Sequence, residues 1–258
     1  MTVPRARRTA AAVAAALLLL PAAACGGEGV GNAAPTRTLT VLAAASLTNA
    51  FAQLEQRFED EHAGVDVQVS TGSSATLAQQ AVAGAPADVL ATADARTMAT
   101  ADDGGALAAA PRVFATNAMV LVVPPDAARQ VGGLEDLAGT DLVVCVPSAP
   151  CGALAATLLD RSGVATEPVS LEVDVRAVLT KVTLGEADAG LVYATDARAA
   201  GDAVAVVDLP GAADLPTEHV VAPLAQAAEP ELARAWVDLL LSPDGQSVLT
   251  GLGFGGPR

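Results

Sequence analysis

The chain has 258 residues, 29 acidic against 14 basic side chains and a formal charge of −15, so it lacks the basic footing that nucleic acid or an anionic membrane surface requires. Its hydrophobic content of 52%, mostly Ala, Val and Leu, excludes a disordered chain and suits one large or two medium domains. Aromatic residues make up only 2%, so the single Tyr193 and the single Trp236 each need a reason.

Arg5, Arg7 and Arg8 precede an uncharged stretch from Thr9 to Gly27 with Leu17 to Leu20 at its centre, the pattern of an export signal rather than a durable membrane span. The stretch ends "LPAAAC", which resembles a bacterial lipoprotein signal, although Ala22 stands where Leu is usual. The expectation is a signal peptide over 1–24, a lipidated Cys25 and a lipid-attached linker over 25–38. The plainer alternative is a cleaved signal with Cys25 an incidental thiol. Either way the chain is exported. With the lipid it sits on the outer face of the cytoplasmic membrane, in the periplasm where an outer membrane exists.

Strand and helix signals then alternate. "LTVLA" is a β-run, and Leu47, Ala50, Phe51, Leu54 and Phe58 recur at helical spacing up to Glu61. "VDVQVS" alternates as a strand, "TGSSATLAQQAVAG" opens a helix ending at Gly84, and "ADVLATAD" is a buried strand with Asp94 an N-cap. A single long β-run is expected from Val113 to Val123. After it come "DLVVCVP", a helix from Cys151 to Ser162, "EPVSLEV", a helix from Asp174 to Leu184, and the strand runs "AGLVYATDA" and "AVAVVDLP". A strand at Glu218 to Leu224, a helix at Glu229 to Leu241 and a short helix near Pro243 to Thr250 close the chain. This alternation predicts parallel α/β sheets with helices on both faces, whose ligands bind where strands end and helices begin.

Several of those junctions share one character: small or hydroxyl residues, then a helix. They are "AAASL" at Ser46, "TGSSAT" at Ser73 and Ser74, and "PSAPCGAL" from Ser148 to Gly152, with "EVDVRAVL" entering its helix at Asp174 and Val175. Helix N-termini expose unpaired N–H groups and partial positive charge, so several together make an anion site without Lys or Arg. Taken singly, each serine is better explained as an N-cap, and Tyr193 in "GLVY" as a core residue. Cys145 and Cys151 could pair in an exported protein, or stand as two buried thiols. His62 and His219 lie near neither, so metal chemistry is poorly supported. His62 and His219 read as ordinary. With no G-x-S-x-G elbow and no P-loop, a hydrolase is disfavoured, and the terminal "GLGFGG" opens no helix.

The stretches "VLAAASLTNAF", "SSATLAQQAVAGAPADVLATAD", "DVRAVLTKVTLGEADAGLVYATDA" and the closing "LGF" resemble, in order from Leu39 to Phe254, the molybdate-binding proteins of bacterial ABC importers. The resemblance implies an α/β, type II periplasmic-binding-protein fold, two lobes joined by two crossing strands. Lobe one would span 39–118 and 221–258, and lobe two 119–220. It implies an oxyanion site, not an active site. The carried-over ligands are the hydroxyls of Ser46, Ser74 and Tyr193 and the main-chain N–H groups of Cys151 and Val175, with Ser73 the alternative to Ser74. Cys151 departs from the small aliphatic residue expected there. Molybdenum would be held as the oxyanion with no direct protein ligand to the metal, and no cofactor is expected. Tungstate would also bind, and sulfate is the alternative guest. The implied partners are an ABC permease and its ATPase, with the receptor a monomer.

Overall fold

The computed structural model describes residues 36–128, 131–164 and 166–257, so the expected signal segment and Cys25 lie outside the described residues. Two five-stranded sheets carry the architecture. The first contains β1 (Arg37–Ala44), β2 (Val65–Gly72), β3 (Val89–Thr92), β4 (Arg112–Asn117) and β10 (Thr217–Pro223), in the order β2-β1-β3-β10-β4. The second contains β5 (Met119–Val123), β6 (Leu142–Cys145), β7 (Ser170–Glu172), β8 (Ala189–Tyr193) and β9 (Ala205–Val207), in the order β7-β6-β8-β5-β9.

Neither sheet is purely parallel. β1 runs parallel to β2 and β3, and β6 runs parallel to β7 and β8. The strands that follow a passage between the sheets enter reversed: β10 is antiparallel to β3 and β4, and β5 is antiparallel to β8 and β9. The expected β-run from Val113 to Val123 is therefore two strands in two sheets, parted at Ala118. The Asn117 side chain holds that crossing, accepting from Ala118 N–H at 3.0 Å and donating to Thr195 Oγ1 at 2.8 Å. Two boundaries also shift. The whole register of β10 belongs to the first sheet, so the return passage ends at Thr217, ahead of the expected Val221. Arg37 and Thr38, expected in the linker, already pair with Val65 and Asp66.

In the first lobe, period-two alternation sorts side chains to two faces. Leu39, Val41 and Ala43 of β1 pack on one side with Phe51 and Phe58 of α1 (Thr48–Glu61) and Trp236 of α7 (Pro230–Leu241). Leu42 and Leu90 face the other side, against Leu77 and Ala81 of α2 (Ser74–Val82) and Met98 of α3 (Ala95–Asp103). Trp236 is fully buried, with the rings of Phe51 and Phe58 edge-on at 5.4 Å each, which accounts for the chain's single indole. The second lobe is covered by α4 (Pro150–Ser162), α5 (Val175–Thr183) and α6 (Ala194–Ala200), while α8 (Pro243–Gly251) closes the chain against α1. α6 replaces the second half of the expected strand "AGLVYATDA". No helix among the described residues is long and apolar enough to cross a membrane.

Candidate functional site

Four helix starts from the two lobes face one small cavity. Its walls include Ser46, Ser73, Ser74 and Ala93 of the first lobe and Ala149, Cys151, Asp174, Val175 and Tyr193 of the second. All five residues expected at the anion are thus brought together. The space open to the centre of a water-sized sphere is about 10 Å³, so the cavity is far too small for a drug-sized ligand and takes only a small guest.

Local geometry decides what each wall residue can offer. Ser46 sits in a short 3-10 turn, Ala45–Leu47, and its side chain caps nothing. The capping explanation therefore fails for this serine. Its Oγ lies 3.0 Å from His219 Nε2, and both residues are buried. Ser74 Oγ accepts from Ala93 N–H at 3.0 Å, which uses a lone pair and leaves its proton free to donate. Ser73, at the N-cap of α2, makes no side-chain capping bond.

From the second lobe, Asp174 caps α5 by accepting from the N–H groups of Arg176 and Ala177 at 2.9 and 3.1 Å. The Val175 amide is not among those it takes. At α4, Pro150 in the first turn has no N–H, so the next amides are those of Cys151 and Gly152. Gly152 is required here, because a Cβ would come within 2.0 Å of the Val146 carbonyl oxygen. Cys151 is disulfide-bonded to Cys145, which ties the start of α4 to the end of β6. Tyr193 is 1% exposed, and its hydroxyl has no hydrogen-bond partner among the described residues. Burial, and next the charge of Asp94, hold that phenol above its ordinary range, so it stays a neutral donor.

Sequence reasoning passed over two buried residues beside this site. His219 is fully buried, and burial pushes its imidazole down to about 3, so it is neutral. Asp196, at the start of α6, is 2% exposed and pushed up to about 7 by burial against the opposing pull of Arg176. Neither lines the cavity itself. The arrangement gathers hydroxyl and amide donors from both lobes around a space that, among the described residues, no Lys or Arg side chain lines. Among the described residues, no group of three or more His, Cys, Asp or Glu is placed to hold a metal ion.

Residues 39–255 match the model of the bacterial extracellular solute-binding protein family. The molybdate-binding protein ModA of Mycobacterium tuberculosis is 39% identical over 223 residues, covering 86% of this chain and 85% of the relative. The periplasmic molybdate-binding protein of Azotobacter vinelandii superposes with a TM-score of 0.74 at 22% identity, covering 85% of this chain and 100% of that one. The sulfate-binding protein SubI of Mycobacterium tuberculosis superposes at 0.75 and 19% identity, covering 84% and 86%. The last two likenesses speak for the fold.

Proposed function

Because the chain belongs to the bacterial extracellular solute-binding family and to its molybdate-binding proteins, which are receptors rather than enzymes and need no cofactor, we propose that it captures molybdate between its lobes for import. The observation that carries the reading is the convergence of Ser46, Ser74, Cys151, Val175 and Tyr193 on one small cavity lined by donors. Molybdate at neutral pH is a dianion whose oxygens only accept hydrogen bonds. Three hydroxyls and the amides at two helix starts answer that need, aided by the helix dipoles. Tungstate presents the same surface and is expected to bind as well.

Hydrogenphosphate carries a proton and needs an acceptor. Asp174 is the carboxylate at the wall, and the amides of α5 already engage it. The formal charge of −15 does not forbid an anionic guest. Exposed charges are screened over about 8 Å at physiological ionic strength. Hydrogen bonds to a charged group contribute ~1.5–3 kcal/mol each, so roughly seven give on the order of 10–20 kcal/mol before desolvation and closure. A net ~8–12 kcal/mol corresponds to micromolar to nanomolar affinity.

Sulfate is the second reading, supported by the fold shared with a sulfate-binding protein and by the same donor-only logic. In this proposal the receptor is a monomer, held to the membrane through Cys25, and delivers its guest to an ABC permease driven by an ATPase. Calorimetric titration with molybdate, tungstate, sulfate and phosphate tests the assignment. Tight binding of molybdate and tungstate is expected. Tight binding of sulfate alone would overturn it.

A further inference from the structure

Ser46 is backed by an imidazole that does not itself reach the cavity. His219 lies on β10, 173 residues away in sequence, with Nε2 3.0 Å from Ser46 Oγ. The rings of Phe114, Tyr193 and Phe254 stand around it at centroid distances of 6.1, 6.1 and 5.3 Å, all steeply inclined to its plane. The imidazole is 0% exposed, and its Nδ1 has no hydrogen-bond partner among the described residues. A ring caged this way has one orientation and, being neutral, one proton to place.

The two placements differ in consequence. With the proton on Nδ1, an N–H donor is buried without an acceptor. Nε2 then takes the Ser46 proton, so Ser46 turns only lone pairs toward the cavity. With the proton on Nε2, the imidazole donates to Ser46 Oγ and the hydroxyl proton points at the guest. Only the second arrangement suits a guest whose oxygens are all acceptors. The first is the one that would accept a hydrogen bond from the O–H of a protonated guest such as hydrogenphosphate, at the expense of a stranded N–H.

We propose that His219 is a positioning residue: as the Nε2–H tautomer it donates to Ser46 Oγ and commits the Ser46 hydroxyl to donate to a fully deprotonated oxyanion. This rests on the reading of Ser46 as an anion ligand and adds to it a group that sets the direction of that hydrogen bond. It also makes His219 a determinant of specificity, because turning Ser46 into an acceptor for a guest O–H requires the costlier tautomer.

The test has two arms on the full receptor. In ¹⁵N-histidine-labelled protein, long-range proton–nitrogen spectra identify the tautomer directly. The expected result is the Nε2–H pattern for His219, without and with molybdate, and no titration between pH 5 and 8. The second arm measures molybdate affinity in His219→Gln, whose amide N–H can replace the donor, and in His219→Leu, which has none. His219→Leu should weaken binding at least tenfold and His219→Gln only a few-fold, and adding Ser46→Ala to His219→Leu should cost little more. A proton on Nδ1 in the molybdate-bound protein, or unchanged affinity in a folded His219→Leu, would overturn the proposal. If the variants do not fold, the tautomer in the unaltered protein decides. If the unaltered protein binds no oxyanion, the site assignment fails, and the same spectra still report which atom donates between His219 and Ser46.

Discussion

Cys145 and Cys151 are bonded with their Cα atoms 5.7 Å apart, so the last residue of β6 is fastened to the first turn of the helix that offers its amides to the cavity. The bridge spans a sequence separation of only six, so the unfolded chain loses little freedom to it: about 2 kcal/mol by loop-closure entropy. For a chain of this size that corresponds to a fall in Tm of roughly 4–8 °C on reduction. Thermal unfolding with and without reductant, and in Cys145→Ala/Cys151→Ala, checks this. An unchanged Tm in protein shown by thiol titration to be fully reduced would contradict it.

Ser74 and Tyr193 should part company when their hydroxyls are removed. Ser74 Oγ is the acceptor for the buried Ala93 N–H, so Ser74→Ala strands that donor and costs about 1–3 kcal/mol of stability as well as weakening molybdate binding. Among the described residues the Tyr193 hydroxyl has no hydrogen-bond partner, so Tyr193→Phe should leave the ligand-free protein as stable or slightly more so. Its affinity should still drop by about 1.5–3 kcal/mol, roughly 10- to 150-fold. Denaturant titrations beside calorimetry separate the two effects. Equal stability losses in both variants would show that the Tyr193 hydroxyl has a structural bond.

What could be read in advance divides along a physical line. The junctions at Ser46, Ser74, Cys151 and Val175 were legible because strand-to-helix loops carry their chemistry locally, in a few consecutive residues. Helix α6 was not, because "YATDA" continues the apolar run of β8 with no breaker between them. Ala118 hid for the same reason: nothing in "FATNAMVLVV" marks a passage between sheets, and the mark is a tertiary one, Asn117 bonding across to Thr195. His219 was read as ordinary because its partner lies in the first helix junction. A bulge between His219 and Val220 also breaks the alternation that would have assigned its face. Asp196 fell inside the run expected as strand, where nothing marked it as a helix-start acid, and only packing buries it.

Arg96 crosses from one lobe to the other. On α3, it donates to the Ser148 carbonyl oxygen at 2.9 Å, beside the start of α4, while lying 3.4 Å from Asp94. Such an exposed contact contributes ~1 kcal/mol or less. Parting the lobes would break this contact, so its loss should appear in release rather than capture. Arg96→Ala is expected to speed molybdate dissociation up to about fivefold with little change in association. Displacement kinetics with an excess of competing anion measure this. A slower association at unchanged release would refute the latch.

Two buried groups give opposite pH responses that should nearly cancel. Burial raises Asp196 from 3.8 to about 7, with Arg176 opposing and Asp174 reinforcing the shift. Between those values the folded state holds a proton that the unfolded state has lost, so stability falls as pH rises. Burial lowers His219 from 6.5 to about 3. There the unfolded state holds the extra proton, so stability falls as pH drops from about 6.5 toward 3. Over roughly pH 4 to 6.5 the slopes oppose, each at most about 1.4 kcal/mol per pH unit. Urea unfolding should therefore show a nearly flat profile in that window for the unaltered protein. Asp196→Asn should expose the histidine slope, with stability climbing as pH rises, and His219→Leu the reverse. Parallel profiles for all three proteins would show that neither group titrates as its burial dictates.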